Sequence, residues 1–253
     1  MLEKAVAVAR GAGQILLEKA RAGFNIEHKG SIDLVTDADR AAEKYVVREL
    51  KKHFPTHSIL AEEGGFTARS EKYVWVIDPL DGTTNFAHRF PYYAVSIALA
   101  KKGKIMLGVV YNPVLSECFS AQLGDGAFLN GAPIKVSSEK FVLNSLLGTE
   151  FPYDVATTDQ DNMLSFERAT KASQGVRSMG AAALDLCQVA CGRLEGFWER
   201  DLRPWDIAAG SLIVAEAGGK VSACGGGTFD PLGSEILVSN GLIHAELLEI
   251  ITV

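Results

Sequence analysis

The stretch WVIDPLDGTT at residues 75–84 constrains the fold more than any other part of the chain. Its apolar start predicts a buried strand, and Pro79 and Gly82 predict that this strand runs into a turn. Two carboxylates, Asp78 and Asp81, stand at that point. Because a buried carboxylate is costly unless a positive group meets it, the fold must bring a cation to the end of this strand.

Three further acidic positions stand in comparable places, at the end of an apolar segment or at a helix start. They are Asp39 in DLVTDAD, Glu62 with Glu63 in ILAEEGG, and Asp206 in RPWDIAAG. Each has an ordinary structural explanation when taken singly, as a helix-start acid or an exposed residue. Taken with the strand-end pair they form an all-oxygen set, which suits a hard cation such as Mg²⁺. That ion would bind a phosphate, activate a water and stabilise the departing oxygen.

The composition excludes several other classes of protein. The formal net charge is −6, which argues against nucleic acid as a main partner because a phosphate backbone needs a basic surface. The sequence contains no apolar run of about eighteen residues, so we expect no membrane span. The charged N-terminal segment does not resemble a signal peptide. The four cysteines form no C-x-x-C pair, which predicts a reducing, cytoplasmic environment.

Hydrophobic periodicity predicts a chain in which helices and strands are mixed. Helices are predicted over residues 2–20, 38–54, 161–173, 181–192, 205–219 and 243–251. Strands are predicted over residues 73–77, 94–100, 105–111, 117–121, 196–200 and 235–239, with further short strands in AFLNG and IKVSS. The order predicts an α/β (α+β) fold, a mixed sheet layered with helices. We expect one domain over residues 1–253, with two sub-layers that meet near residues 140–160.

Two other classes of phosphate-handling enzyme have motifs that can be compared with this sequence. IDLVTDADR is similar to the D-x-D motif of haloacid-dehalogenase-type phosphatases, with Asp37 as nucleophile and Asp39 as acid. That motif usually follows a longer apolar strand and takes Thr or Val two residues on, whereas Ala41 follows here. The sequence has no G-x-x-x-x-G-K-[ST] motif, which excludes a P-loop nucleotide enzyme. Neither class is favoured.

Four blocks, in this order, resemble the inositol monophosphatase family: LAEEGG, WVIDPLDGTTNFAHRFPYYAVSIAL, RSMGAAALDLC and PWDIAAGSLIVAEAGG. The resemblance spans nearly the whole chain. This family belongs to the Mg²⁺-dependent, lithium-sensitive sugar-phosphatase superfamily, together with the fructose-1,6-bisphosphatases. The resemblance implies a layered α-β-α-β-α fold, a homodimer, Mg²⁺ as cofactor and a small-molecule phosphate ester as substrate.

The resemblance also implies roles for individual residues. The implied metal ligands are Glu62, Asp78, Asp81, Asp206 and the backbone carbonyl of Leu80. Asp78 would be shared between two ions. Asp39 and Thr83 would orient and deprotonate the attacking water, without a covalent phosphoenzyme. The implied substrate-binding residues are Gly82, Thr83, Gly180, Ala181, Ala182 and Glu199.

The implied activity is hydrolysis of inositol-1-phosphate and related sugar phosphates. Fructose-1,6-bisphosphatase, histidinol-phosphatase and 3′-phosphoadenosine phosphatase share the metal set, so fold and ligands leave them open. A non-catalytic regulator that binds protein or RNA would predict erosion of the metal set, but the set is intact.

Three departures from the family pattern bear on the choice of substrate. The loop before DLVT is short, so Lys29 only approximately matches the family's lysine, and Ala181 stands where Thr is frequent. Arg200 and Arg203 flank the segment that leads to Asp206. Surface solvation or a salt bridge across a dimer contact is the favoured explanation of these residues, and the alternative is that one of them, or Arg177, faces a second phosphate.

Overall fold

The computed structural model describes residues 1–28, 30, 34–69, 72–159 and 161–252. The α-helices in these ranges are α1 (Leu2–Ala22), α2 (Asp37–His53), α3 (Thr83–Ala87), α4 (Met163–Ala172), α5 (Ala182–Ala190), α6 (Pro204–Glu216) and α7 (His244–Ile251). A 3₁₀ turn covers Val142–Asn144. The strands are β1 (Ile26–His28), β2 (Leu34–Thr36), β3 (Ser58–Ala61), β4 (Gly65–Thr67), β5 (Tyr73–Asp81), β6 (Ala94–Lys101), β7 (Lys104–Asn112), β8 (Glu117–Gln122), β9 (Ala127–Leu129), β10 (Ala132–Ile134), β11 (Leu146–Thr149), β12 (Gly175–Arg177), β13 (Gly196–Arg200), β14 (Lys220–Ser222) and β15 (Glu235–Ser239).

The strands form two main sheets and one small hairpin sheet. The larger sheet has eight strands in the order β10-β9-β8-β7-β6-β5-β3-β4, and only the β3–β5 pairing in it is parallel. The smaller sheet has five strands in the order β12-β11-β13-β15-β14, in which β11 runs parallel to both of its neighbours. Strands β1 and β2 pair with each other just before α2. The chain therefore completes one sheet before it begins the other.

Helices cover these sheets and build five layers. Helices α1 and α2 pack on one face of the larger sheet, and α5 and α6 lie between the two sheets. Helices α4 and α7 cover the outer face of the smaller sheet. The resulting α-β-α-β-α order is the predicted one. Within the described residues, none of the helices combines the length and the apolar character that a membrane crossing requires.

Small residues allow the central helices to approach the sheets closely. On α6, a Cβ at Gly210 would lie 2.5 Å from the Leu186 side chain of α5, and a Cβ at Gly108 of β7 would lie 2.6 Å from the Ala209 carbonyl oxygen. Helix α6 is apolar on all sides, as a helix enclosed between two sheets must be. This close packing brings the N-terminal ends of α5 and α6 to the end of β5.

The predicted long elements are confirmed, with ends that shift by a few residues. The central strand is longer than predicted, because β5 continues through Pro79 to Asp81, with an irregular register against β6 between Asp78 and Asp81. The prediction of a strand over IKVSS is wrong beyond Ile134, where β10 ends. Short strands such as β3 and β11 were not predicted, because three or four apolar residues carry too little periodicity.

His244 offers a test of how α7 is held to the smaller sheet. Its ring is buried between the hydroxyls of Ser222 and Ser239, at 3.0 and 2.9 Å from Nε2 and Nδ1. Burial, and then the nearby charge of Lys220, lower the pKa of His244 to about 4. The unfolded chain therefore binds a proton that the folded protein excludes as pH falls from about 6.5 to about 4. This contribution to stability is present above that window and is lost as pH falls through it.

We expect the wild type to lose more thermal stability between pH 7 and pH 5 than His244→Gln does. The measurement is Tm against pH by calorimetry in both proteins, since other titrating groups cancel in the difference. His88→Gln is the matched control, because His88 lies exposed on the surface. Identical slopes for the wild type and His244→Gln would contradict the proposed burial of a neutral ring.

Candidate active site

The strand-to-turn junction at the end of β5 forms the centre of the site. Gly82 follows Asp81 with φ 89° and ψ 38°, a left-handed conformation that favours glycine. A Cβ at Gly82 would lie 3.1 Å from the carbonyl oxygens of both Gly180 and Tyr92. This turn places Asp78 and Asp81 on one side and the first turn of α3, beginning at Thr83, on the other.

Asp39 and Thr83 meet across this junction although they are 44 residues apart. The Thr83 hydroxyl lies 2.9 Å from Asp39 Oδ1 and equally close to the Leu80 carbonyl oxygen. Asp39 Oδ2 accepts hydrogen bonds from the backbone N–H of Thr36 at 2.8 Å and from its hydroxyl at 2.5 Å. Thr36 and Asp39 thus form a capping box at the start of α2. Burial raises the pKa of Asp39, although the hydrogen bonds from Thr36 and Thr83 oppose that shift.

The carboxylates at the end of β5 repel one another. Burial raises the pKa of Asp78 well above its usual range, and the charges of Glu62, Asp81 and Asp206 add to the effect. Burial, followed by the charge of Asp206, does the same to Asp81. Burial also raises the pKa of Asp206 to about 7. Negative charges that repel one another in this way form a site in which a bound cation would relieve the repulsion.

Hydrogen bonds to the backbone hold each of the three aspartates in place. Asp78 Oδ1 accepts from the N–H of Leu80 at 2.9 Å, and Asp81 Oδ2 accepts from the N–H of Ala183 at 3.0 Å. Asp206 Oδ2 accepts from the N–H of Arg203 at 2.7 Å, at the start of α6. In these bonds the backbone engages one oxygen of each carboxylate.

The turn that carries Glu62 is fixed by a residue of α2. Glu43, itself buried, accepts a hydrogen bond from the N–H of Glu63 at 2.8 Å. A Cβ at Gly64 would lie 2.8 Å from Glu43 Oε1, so the turn and the helix fit closely. Glu62 follows β3, which pairs in parallel with β5, and so its side chain is brought beside Asp78.

The opposite wall of the site comes from the middle helices and the smaller sheet. The segment Gly180–Ala182 precedes and begins α5, and Glu199 lies on β13. Glu199 is buried, and its Oε2 atom has no hydrogen-bond partner in the described structure. Burial, followed by the charges of Glu150 and Asp206, raises the pKa of Glu199 well above its usual range. A neutral acid in this position can exchange hydrogen bonds with a polar ligand.

These walls enclose a cavity of about 380 Å³. The predicted site residues that line it are Glu62, Asp78, Leu80, Asp81, Gly82, Thr83, Gly180, Ala181, Ala182, Glu199 and Asp206. Asp39 does not line the cavity and reaches it through Thr83. Of the three arginines discussed above, only Arg203 lines this cavity. Lys29 lies outside the described residues.

Sequence reasoning missed four residues that shape the site: Asn85, Glu150, Asp185 and Glu43. Asn85 lies inside the DPLDGTTNF block, but the motif does not predict its contacts with Tyr92 and Met179. Asp185 carried a readable signal, because a carboxylate inside the apolar helix segment AALDLC is unusual. Glu150 and Glu43 carried none, since only contacts between distant segments show what they do.

The donor set fits a hard divalent cation. No histidine or cysteine is among the described residues that line the cavity, and the available donors are carboxylate and carbonyl oxygens. Among the residues that the structure describes, no three acidic, histidine or cysteine side chains are already arranged to hold a metal ion. The fit therefore rests on the chemistry and mutual repulsion of the donors.

Comparison with known proteins agrees with this site. Residues 1–252 match the model of the inositol monophosphatase family. An inositol-1-monophosphatase of Synechocystis is 48% identical over 238 residues, which cover 94% of this chain and 80% of that protein. A protein of Pseudomonas aeruginosa named Nus factor SuhB is 47% identical over 229 residues, covering 88% and 84%. The solved structure of an inositol monophosphatase from Anabaena (Nostoc) superposes with a TM-score of 0.90 at 42% identity, covering 98% and 94%.

The layered fold and the carboxylate-lined cavity define a hydrolase of phosphoric monoesters. The chain belongs to the inositol monophosphatase family, whose matching model covers almost its full length. Dependence on a metal ion and sensitivity to lithium are general traits of this family.

The mutual repulsion of the carboxylates predicts an effect on stability that needs no catalysis. Because the folded pKa of Asp206 is raised to about 7, stability in the absence of metal falls as pH rises from about 4 to about 7. Asp78→Asn removes one of the opposing charges. At pH 8 in the presence of a chelator we expect this variant to have a higher Tm than the wild type. Each kcal/mol of added stability corresponds to about 2–4 °C in Tm.

The control for this measurement is Asp154→Asn, since Asp154 is an exposed carboxylate outside the cluster. That variant should leave Tm in chelator unchanged. A lower Tm for Asp78→Asn than for the wild type at pH 8 in chelator would contradict the repulsion among the carboxylates that the structure indicates.

Proposed function

We propose that this protein is a Mg²⁺-dependent phosphatase that hydrolyses inositol-1-phosphate and related sugar monophosphates by direct attack of water. It acts on them as a cytoplasmic homodimer. One observation carries the proposal: buried carboxylates that repel one another share a single cavity with a threonine–aspartate pair. The printed name of the Synechocystis relative and the match to the family model support the choice of substrate.

The residues that would hold Mg²⁺ are Glu62, Asp78, Asp81, Asp206 and the Leu80 carbonyl. When bound, Mg²⁺ supplies positive charge that favours ionisation of a nearby water and stabilises the oxygen that departs from phosphorus. Without that charge the cluster is partly protonated at neutral pH, because the pKa of Asp206 is about 7. The cluster therefore serves the reaction only when the cation replaces those protons.

Asp39 and Thr83 handle the proton of the attacking water. The Thr83 hydroxyl donates to Asp39 Oδ1, which leaves the lone pairs of the Thr83 oxygen to accept a proton from water. As the water oxygen bonds to phosphorus, its proton passes to Thr83, and the proton of Thr83 passes to Asp39. The raised pKa of Asp39 favours this transfer. The bond from phosphorus to the sugar oxygen breaks, and that oxygen takes a proton from solvent.

The backbone and Glu199 hold the substrate. The N–H groups of Thr83 and Thr84, in the first turn of α3, have no acceptor within the helix, so they can bind phosphate oxygens. Gly180, Ala181 and Ala182 border the space for the sugar ring. Glu199 has an unpaired buried oxygen beside that space, and we assign it to a ring hydroxyl.

The positions of Arg177 and Arg200 favour a substrate with one phosphate. Arg177 is exposed, and its Nη1 atom contacts the Val176 carbonyl. Arg200 lies 3.8 Å from Glu235 and lines a neighbouring pocket that also contains Asp154 and Asp201. Three carboxylates and one guanidinium make that pocket acidic, so it would repel a second phosphate. Fructose-1,6-bisphosphate is for this reason not the favoured substrate.

The proposal is tested by phosphate release from inositol-1-phosphate. We expect hydrolysis with Mg²⁺, none in EDTA, restoration by added Mg²⁺ and inhibition by Li⁺. Fructose-1,6-bisphosphate and histidinol phosphate serve as competing substrates in the same assay. Full activity in EDTA, or a higher kcat/KM for either competitor, would contradict the proposal.

The proton-transfer step is tested by Asp39→Asn. Loss of a general base typically lowers kcat about 10²–10⁴-fold, and we expect a loss in that range. Binding of Mg²⁺, followed by calorimetric titration, should stay close to that of the wild type, because Asp39 does not line the cavity. Phosphate trapped covalently on any aspartate, above all Asp37, would overturn the direct attack of water.

A further inference from the structure

Glu150 holds the wall of the cavity by its backbone. This residue directly follows β11 and lines the cavity. Its Oε1 atom accepts hydrogen bonds from the N–H groups of Met179 and Gly180, both at 2.5 Å, and its Oε2 atom accepts from the Ser178 hydroxyl at 2.6 Å. A single carboxylate thus fixes three successive residues just before Ala181.

Asn85 holds the same segment from the other side. Its Nδ2 atom donates to the Met179 carbonyl at 2.7 Å and to the Tyr92 carbonyl at 2.8 Å. Gly180 has φ +80°, and a Cβ there would lie 2.9 Å from Asn85 Nδ2. Since Asn85 belongs to α3, this contact ties the wall to the turn that we assign to phosphate.

Asp185 stands behind Glu150 as a buried acid. Its Oδ1 atom accepts a hydrogen bond from the Tyr92 hydroxyl at 2.7 Å, while Oδ2 has no donor in the described structure. Its side chain lies within hydrogen-bonding contact of the Glu150 carboxyl. Two carboxyl groups can share a hydrogen bond only if one of them carries a proton. Burial, followed by the charge of Glu150, raises the pKa of Asp185 well above its usual range.

We propose that Glu150, backed by the buried side chain of Asp185, is a positioning residue that fixes the Ser178–Ala182 wall in register with the proposed phosphate-binding turn. The inference rests on the proposed function, since it concerns how the substrate ring is oriented in the same cavity. Both oxygens of Glu150 accept hydrogen bonds from the Ser178–Gly180 segment, so we assign Glu150 to holding this segment rather than to touching the substrate.

The test compares a ring substrate with one that has no ring. Inositol-1-phosphate meets the wall, whereas propyl phosphate reaches only the phosphate site and the carboxylates. For Glu150→Ala we expect the ratio of kcat/KM for the two substrates to fall about tenfold, as expected from loss of hydrogen bonds to a charged acceptor. The loss should fall mainly on KM for inositol-1-phosphate. A merely structural defect would lower activity on both substrates together.

Two variants control the result. Glu150→Gln keeps one acceptor oxygen for the N–H groups of Met179 and Gly180, so it should restore most of the ratio. Glu195→Ala removes a comparable bond, from the Leu146 N–H to Glu195 at 2.7 Å, at the far end of the same strand. It should leave the ratio unchanged. An unchanged ratio in Glu150→Ala, or an equal shift in Glu195→Ala, would overturn the proposal.

The role of Asp185 is tested by two replacements of similar size. Asp185→Asn can donate to Glu150 through its amide and still accept from Tyr92, as a protonated aspartic acid does. Asp185→Leu can do neither. We expect the asparagine variant to retain the substrate ratio and the leucine variant to shift it as Glu150→Ala does. The opposite order would show that Asp185 is ionised and would overturn its part in the proposal.

A second readout separates this proposal from the proposed function. Amide hydrogen exchange of the segment 176–182 should accelerate in Glu150→Ala, with or without substrate, because the N–H groups of Met179 and Gly180 lose their acceptor. If the wild type hydrolyses neither phosphate ester, the proposed function fails, but amide exchange still reports whether Glu150 holds the 176–182 segment. Unchanged exchange in Glu150→Ala would overturn the positioning role of Glu150 even if the enzyme is active.

Discussion

The repulsion among the carboxylates around Asp78 is the constraint on which the rest of the structure depends. Burial alone makes each of these charges costly, and their proximity adds to that cost. The protein meets part of the cost with backbone N–H groups, which engage one oxygen each of Asp78, Asp81 and Asp206. A cation would meet the remainder, so stability and the proposed activity respond to the same ion.

The five layers bring five chain segments to one point. The larger sheet supplies the end of β5, and the outer helix α2 supplies Asp39. The enclosed helices α5 and α6 present their first turns, and the smaller sheet supplies Glu199. A helix start is a suitable place for an acid because its N–H groups are unpaired and its dipole favours negative charge. Asp39 and Asp206 thus serve both as capping residues and as members of the proposed site.

The Ser178–Ala182 wall of the cavity has fewer supporting side chains than the carboxylate cluster. The cluster contains three aspartates and a glutamate. Among the described residues, Glu150 is the one side chain that accepts from the N–H groups of Met179 and Gly180. The contact of Asn85 with that segment ties the wall to the proposed phosphate-binding turn. Relatives with the same carboxylates could therefore differ in substrate through residues that never touch it.

The sequence by itself determined the parts of this protein that are local. The run DPLDGTT contains the strand end, the left-handed glycine and both aspartates, because a turn needs only neighbouring residues. Thr36 and Asp39 likewise form a capping box that can be read three residues apart. The long helices α1 and α6 were predicted for the same reason, since α1 repeats its apolar positions over several turns and α6 forms a long, mainly apolar segment.

Only the tertiary structure decided which distant residues meet. The contact of Thr83 with Asp39 spans 44 residues, and that of Asn85 with Met179 spans 94. Glu150 is an ordinary acid in the sequence, and its hydrogen bonds to Ser178, Met179 and Gly180 follow from packing that no local pattern encodes. Short strands such as β11 also depend on neighbours in the sheet, because three or four residues specify no period of their own. The sequence therefore supplied the charged groups, and the packing of the layers determined their protonation.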